Sequence, residues 1–401
     1  MSDYNSLDRC LCCDSKDIEI LLDLNNQPLA NSYHDNTKKM DEYPLGVNIC
    51  NNCYHIQLTH VVNPDLLFKD YLYVSGTSQT LKDNMEWFVD YVTENDHRHR
   101  DTVLDIACND GTQLDYFKEA GYKTYGIDPA KNLYELSSKK HKVICDYFNA
   151  KNFDRKFDVI TAQNVFAHNT APKRFLDDCE KLMHDESTLY IQTSQADMIL
   201  NNQFDTIYHE HVSFFNINSM NELVKRTNLY LVDVIKTPVH GISYLFKLSK
   251  KRGGVQRVSN SIEVEKISGL YSKKTYRNYT NLITNLVSKF KTSVKFYRKS
   301  GYKLVGYGAA AKGMTFLNFT DTELDVIIDD NELKHNLYTP GTNIPIKPNG
   351  FLKQYKESDK ILFIPLAWNF YDEIQKRILK TRDNENDLFL KYFPEVKLER
   401  R

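Results

Sequence analysis

The chain has 401 residues, with 52 Lys and Arg against 53 Asp and Glu, for a formal net charge of −1. That length holds two or three domains with real cores. The balanced charge excludes a general nucleic-acid binder, which carries a clear positive excess. No apolar run approaches the ~20 residues of a membrane span, and the opening Met1-Ser2-Asp3-Tyr4 is polar, unlike a secretion signal. Eight cysteines in such a chain point to reduced thiols and metal rather than disulfides, and to a cytoplasmic protein.

Residues 1–70 read as a small metal-held module. Cys10 and Cys13, then Cys50 and Cys53, form two Cys-x-x-Cys pairs. Four thiolates at this spacing suit a tetrahedral zinc ion and leave no open position for water or substrate, so the metal is expected to be structural. Cys12 is expected to be a bystander. Cys108, Cys145 and Cys179 are expected to be buried structural residues.

A helix follows over 78–95, with Leu81, Met85, Phe88, Val89 and Val92 on one buried face. The patch His97-Arg98-His99-Arg100 reads as a solvated turn. From Thr102 the pattern becomes strand, turn, helix, strand, with strands expected at 103–106, 122–127, 142–144, 157–162 and 188–192 and a helix opening over 113–119. Alternation of this kind implies a parallel sheet with helices on both faces, whose ligands sit beyond the carboxyl ends of the strands. Residues 249–257 read as a basic surface loop. One or two long helices are expected over 262–300, with Leu282, Ile283, Leu286, Val287 and Phe290 on one face. A second strand–turn–helix unit follows: strand 302–308, helix 309–318, strand 325–330, strand 360–365 and a helix opening at 368–377. The two α/β units share a grammar but no sequence repeat.

The first loop of the middle unit runs Asp105, Ala107, Asn109, Asp110, Gly111, and the second strand ends in Asp128. An acid in Asp128's position can accept hydrogen bonds from both ribose hydroxyls. A dinucleotide fold would place several glycines here to cradle pyrophosphate. Acids at Asp105 and Asp110 instead suit a cationic sulfonium and its ammonium group, which favours S-adenosylmethionine over NAD.

Beyond the fifth strand, residues 205–215 crowd hydrogen-bonding and titratable groups into one segment, Asp205-Thr206-Ile207-Tyr208-His209-Glu210-His211-Val212-Ser213-Phe214-Phe215. A histidine there can take a proton at neutral pH. His168, after the fourth strand, would face the same cleft. His209, Glu210 and His211 could also ligate a metal, although the spacing is not the i, i+4 pair that places two histidines on one helix face.

These features resemble the S-adenosylmethionine-dependent sugar C-methyltransferases that modify nucleotide-linked 4-keto-deoxysugars. The resemblance covers nearly the whole chain. It rests on the paired Cys-x-x-Cys module with Gln27-Pro28-Leu29-Ala30-Asn31, on Tyr43-Pro44-Leu45 and on Tyr71-Leu72-Tyr73-Val74-Ser75. It continues through Asn109-Asp110-Gly111, Asn164-Val165-Phe166-Ala167-His168, the Tyr-His-Glu-His segment and Pro238-Val239-His240-Gly241. It ends with Gly306-Tyr307-Gly308-Ala309-Ala310-Ala311-Lys312-Gly313 and Pro340-Gly341-Thr342 leading to Ala367-Trp368-Asn369.

The resemblance implies an α/β fold in three domains. They are a zinc-binding domain over 1–70, a Rossmann-like methyltransferase domain over 71–238 and a Rossmann-like nucleotide-sugar domain over 239–401. It implies methyl transfer to the carbon beside a ketone of a dTDP-type sugar. His211 would be the base, with Glu210 tuning it. Tyr208 or His168 would stabilise the enolate, and Tyr73 is a further active-site position. Asn164 joins the cofactor set, and His240, Gly306, Gly308, Lys312, Trp368 and Asn369 form the substrate set. Gly-rich turns at a helix start bind phosphates through backbone amides, and Lys312 would add charge, although packing alone also explains the glycines. The chain departs from the family pattern at Asp105 and Ala107, where Glu and Gly are usual, and at Ile242, where a second glycine is usual. An O- or N-methyltransferase, or a binding protein on this scaffold, is the alternative. No nucleic acid or membrane partner is expected. Oligomeric state is open, with a monomer as the default.

Overall fold

A computed structural model describes residues 3–36, 39–68, 74–77, 79–94, 101–194, 197–238 and 242–400. The chain forms two compact units. The first takes Met1–Glu19, Asn48–Asp197 and Glu210–Tyr271; the second takes Ile20–Val47, Met198–His209 and Ser272–Arg401. No helix among the described residues is long and apolar enough to cross a membrane.

The first unit is built on a seven-stranded sheet of β1 (Thr102–Ile106), β2 (Lys123–Ile127), β3 (Lys142–Ile144), β4 (Phe157–Gln163), β5 (Met183–Thr193), β6 (Tyr230–Thr237) and β7 (Ser243–Ser249). Their order is β6-β7-β5-β4-β1-β2-β3. The first five strands run parallel. Val103, Leu104, Val159 and Ile160 are fully buried, as expected of strands covered on both faces. The edge corrects the all-parallel expectation: β7 pairs antiparallel with both β5 and β6. This hairpin belongs to the same sheet although β7 lies beyond residue 238.

The helix Gln79–Glu94 buries Phe88, Val89 and Val92, with the Phe88 ring edge-on to Phe117 and Tyr190. Leu81 and Met85 are only half-buried. The turn expected at His97-Arg98-His99-Arg100 lies outside the described residues. The basic loop is shorter than expected: it ends at Gly254, φ 62°, where a Cβ would stand 1.6 Å from the Val232 carbonyl oxygen, and a helix starts at Val255. Residues 262–300 hold the end of one helix, Val255–Ile267, and the whole of a second, Lys273–Lys299. Glu265 ties the first of these down: it accepts the Ile217 amide at 2.9 Å and the hydroxyls of Tyr244 and Tyr271. Cys145 is exposed, against expectation, while Cys108 and Cys179 are buried.

The second unit carries a six-stranded sheet of β8 (Tyr302–Tyr307), β9 (Val326–Ile328), β10 (Ile346–Lys347), β11 (Lys360–Pro365), β12 (Leu388–Lys391) and β13 (Lys397–Glu399). The order is β10-β9-β8-β11-β12-β13, parallel apart from the last pair. On the helix Lys273–Lys299, Ile283 and Phe290 are buried but Leu282 is 48 % exposed, so the expected face is narrower by that residue. The helix after β8 starts at Ala311 rather than Ala309, because Gly308 at φ 90° and an extended Ala310 form the loop. Trp368–Phe370 is a 3-10 turn, and the helix proper is Tyr371–Thr381.

Candidate active site

The four cysteines converge. Their Sγ atoms all lie within 4.8 Å of one another, with Cys10–Cys53 and Cys13–Cys50 each at 3.5 Å. A tetrahedral Zn–S bond of ~2.3 Å needs sulfurs roughly 3.8 Å apart, which these separations bracket. Both knuckles close the same way: the amides of Asp14 and Tyr54 return to the carbonyls of Cys10 and Cys50 at 2.9 Å, with φ of 63° and 60°. Cys12 is buried but lies outside the group of four.

Beyond the carboxyl ends of β1 and β4, three non-glycine residues take positive φ: Ala107 at 61°, Asn109 at 51° and Asn164 at 55°. Backbone conformations this unusual concentrate at functional sites. Gly111 follows at φ 84°, and a Cβ there would stand 3.1 Å from both Ser137 and His141. The loop is held by its own acids. Asp128 accepts the Asn109 amide on Oδ2 and the Ala130 amide on Oδ1, each at 2.9 Å. Each oxygen keeps a lone pair for a ribose hydroxyl. Asp110 accepts the Gly76 and Thr112 amides at 3.0 and 3.2 Å, and Asn109 Oδ1 accepts the Ser75 amide at 3.0 Å. Asp110 therefore acts as a clamp on the 75–76 backbone. A Cβ on Gly76 would sit 2.4 Å from the Asp110 carboxylate. Sequence reasoning passed over Gly76; its signal was its place directly after Val74-Ser75.

Asp105, 4 % exposed, stands in β1 opposite Thr161 of β4, where the strand order reverses. Its Oδ1 accepts the Thr161 hydroxyl at 2.6 Å. Burial raises its carboxyl to about 7; the Thr161 bond opposes that rise and the Asp128 charge adds to it. Asn164 donates its amide to the Gln192 carbonyl at 2.9 Å, while its buried Oδ1 has no hydrogen-bond partner among the described residues.

His168 and His211 come together, with ring centroids 5.2 Å apart and planes at 29°. Phe68 also stacks on His168, at 5.7 Å and 7°. Burial lowers His168 to about 4, so its imidazole is neutral at pH 7. Glu210 and His211 are buried, at 5 % and 7 % exposure. Within the 205–211 segment, Tyr208 and His209 fall in the second unit and Glu210 and His211 in the first. His209 is fully committed to packing: it is 2 % exposed, set edge-on to Tyr43, and lowered by burial to about 4. Tyr73 and His240 lie outside the described residues. Ile242 packs against the core of the first unit.

In the second unit, Gly306 and Gly313 are packing glycines: a Cβ would meet Ile327 and Leu324 at 2.9 Å in the first case and Leu366 at 2.8 Å in the second. Gly308 takes the turn itself. Lys312 Nζ lies 4.6 Å from the Trp368 ring centroid and donates to Asn369 Oδ1 at 3.3 Å, so these three predicted residues do meet. Sequence reasoning missed Asp329 and Lys334 beside them. Asp329 accepts the Ala309 amide at 2.6 Å and Lys334 donates to the Ala309 carbonyl at 2.7 Å.

Three family models match consecutive stretches of the chain. Residues 10–68 match the family model described as "Putative zinc binding domain", 77–234 the model "Methyltransferase domain", and 238–394 the model "C-methyltransferase C-terminal domain". The chain is an S-adenosylmethionine-dependent methyltransferase with the domain set of the C-methyltransferases. The C-methyltransferase NovU of Streptomyces niveus is 26 % identical over 390 residues, 92 % of this chain and 91 % of that one. Among solved structures, the plantazolicin methyltransferase BpumL with SAH aligns over 44 % of this chain and 87 % of its own, at 17 % identity and a TM-score of 0.37. The magnesium protoporphyrin IX methyltransferase of Synechocystis PCC 6803 aligns over 42 % and 79 %, at 10 % identity and 0.34.

The methyltransferase binds S-adenosylmethionine and zinc, and its residues fit both. The donor set for the metal is four thiols with no competing ligand. For the cofactor, Asp105 offers a carboxylate and Asn164 Oδ1 an unused acceptor to a cation.

Proposed function

We propose that the methyltransferase acts on the carbon beside the ketone of a nucleotide-linked, dTDP-type 4-keto-deoxysugar. The observation that carries this reading is the stacked His168–His211 pair, one ring of which is held neutral by burial. His211 takes the proton α to the ketone, and the C–H electron pair passes into an enolate. Neutral His168 donates a hydrogen bond to the enolate oxygen and adds no positive charge that would oppose protonation of its neighbour. Tyr208, earlier in the same segment, is the second candidate donor, and Glu210 favours the imidazolium of His211. S-adenosylmethionine supplies a sulfonium-bound methyl group that accepts the carbanion's electron pair as the sulfur leaves. Asp105, Ala107, Asn109, Gly111, Asp128 and Asn164 hold that cofactor, with Asp110 fixing the loop through the Gly76 and Thr112 amides, and Tyr73 and His240 complete the substrate side.

Three regions, 1–70, 71–238 and 239–401, divide the work into metal module, methyl transfer and nucleotide-sugar binding. The likeness to NovU supports a carbon acceptor, and the free cysteines support a cytoplasmic setting. The test is incubation with methyl-labelled S-adenosylmethionine and a panel of nucleotide-linked 4-keto sugars, with NMR of the product. A new C–CH3 bond, reduced about 10²- to 10⁴-fold in His211→Ala with cofactor binding retained, is the expected result. Label on oxygen or nitrogen, or an undiminished rate in the variant, would overturn the reading.

A further inference from the structure

Asp205 belongs to the short segment Met198–His209 of the second unit and is 1 % exposed. Its Oδ2 accepts the Trp368 indole N–H at 2.7 Å and the Tyr392 hydroxyl at 2.9 Å. Its Oδ1 is buried without a hydrogen-bond partner among the described residues. A carboxylate placed this deeply costs free energy unless something needs its charge. What it serves is one residue away in space: the indole it grips by the edge presents its face to the ammonium of Lys312, 4.6 Å from the ring centroid. Lys312 stands in the first turn of Ala311–Thr320, where helix amides add positive potential. Burial works against its charge and Asp205 works for it. A direct Asp–Lys bridge would occupy the ammonium's donors; the interposed indole supports the charge through its face and leaves the donors not taken by Asn369 Oδ1 for a ligand.

We propose that Lys312 on the Trp368 face captures the diphosphate of the substrate, and that Asp205 is the positioning residue that fixes this stack. The inference rests on the nucleotide-linked substrate proposed above. The Asp205 carboxylate stands at the indole edge, with Oδ2 committed to two donors, so its repulsion of a diphosphate at the face is reduced.

The chain has two tryptophans, and Trp87→Phe leaves Trp368 as the reporter. Titration with dTDP and with inorganic pyrophosphate should give a saturable change in indole emission. Lys312→Met should weaken it by about tenfold or more, with Lys312→Arg restoring it. Asp205→Asn keeps an acceptor for the indole N–H but removes the charge. It should raise KM for the nucleotide sugar by about tenfold with kcat little changed, and leave S-adenosylmethionine affinity intact. A structural role alone would leave KM unmoved in that variant, and that result would overturn the proposal, as would an absent emission response. If Asp205→Asn fails to fold, the Lys312 pair decides. A dTDP response with no methyl transfer to any nucleotide sugar would sink the functional reading and spare this one; transfer without the response would do the reverse.

Discussion

In the first sheet the Ala107 amide donates to the Ile127 carbonyl at 2.8 Å, and Asp128 then takes the amides of Asn109 and Ala130. In the second, the Gly308 amide donates to Ile328 at 2.7 Å, and Asp329 takes the amides of Ala309 and Asn331. Each sheet thus closes its first loop with a carboxylate at the end of the neighbouring strand. What differs is the charge placed around that shared frame. The first loop gathers acceptors, in Asp105, Asp128 and the unused Asn164 Oδ1. The second is flanked by Lys312 and Lys334, both with their charge disfavoured by burial and sustained by a nearby acid. In the function proposed above, one frame would take a cation and the other an anion, which would put the difference in the side chains grafted onto a common turn rather than in the turn.

The largest expected break in the comparison is the metal site, whose four thiols all lie in the first unit among the described residues. Cys50→Ser should abolish stoichiometric zinc and cost on the order of several kcal/mol of stability, because ligand binding energy is folding energy in such modules. Elemental analysis with thermal unfolding checks it; retained zinc and an unchanged Tm would show that the thiols are not ligands. Next come the two bridging acids. Asp128→Asn and Asp329→Asn should each lose about 1–3 kcal/mol by weakening paired amides, but calorimetry should find S-adenosylmethionine affinity reduced in the first alone. Equal loss in both would remove the functional distinction drawn between the loops.

A smaller effect follows from Asp105, raised by burial to about 7. Its ordinary carboxyl range lies near ~4, so between these values the native state holds a proton that the unfolded chain has released. Apo stability should therefore fall as pH rises through that window, by up to ~1.4 kcal/mol per unit. A cationic cofactor needs the ionised form. Its affinity should drop by up to about tenfold per unit below pH 7, and Asp105→Asn should flatten the profile. A pH-independent affinity in the unaltered enzyme would remove Asp105 from cation recognition.

Much of this was legible in the sequence because it is local. Cys-x-x-Cys pairs, the short apolar runs of β1 to β4 and the Asn-Asp-Gly turn declare themselves within a few residues. The hairpin β6–β7 did not, since an antiparallel edge added to a parallel sheet depends on pairing with β5, far away in sequence. Leu282 lies next to the buried Ile283 and fits a broad apolar face by spacing, yet the partner surface is narrower than the stripe. Asp110 was expected to face a cation by its charge; the Gly76 amide that claims it lies 34 residues away in sequence, so the place of Gly76 after Val74-Ser75 marked the residue but not its contact. The interlacing of segments was equally hidden, as Met198–His209 is taken up by the second unit from between two stretches of the first.

The finest distinction between the loops is one methyl group. Ala107 and Gly308 hold the same hydrogen-bonded position, at φ 61° and 90°. An L-residue in this region pays roughly 1–2 kcal/mol, whereas glycine pays in unfolded-state entropy, about 0.5–1 kcal/mol relative to Ala. Gly308→Ala should be the costlier change, since the added Cβ would also stand 3.0 Å from the Ala367 Cβ; about 1–3 kcal/mol is expected from strain and contact together. Ala107→Gly should be nearly neutral or stabilising by less than about 1 kcal/mol, because relief of strain and lost rigidity oppose each other. If denaturant unfolding instead shows Ala107→Gly to be strongly destabilising, the Ala107 methyl is packed into the loop and contributes to its shape. A neutral result with tighter S-adenosylmethionine binding would mean that the methyl crowds the cofactor and that the frame tolerates it without needing it.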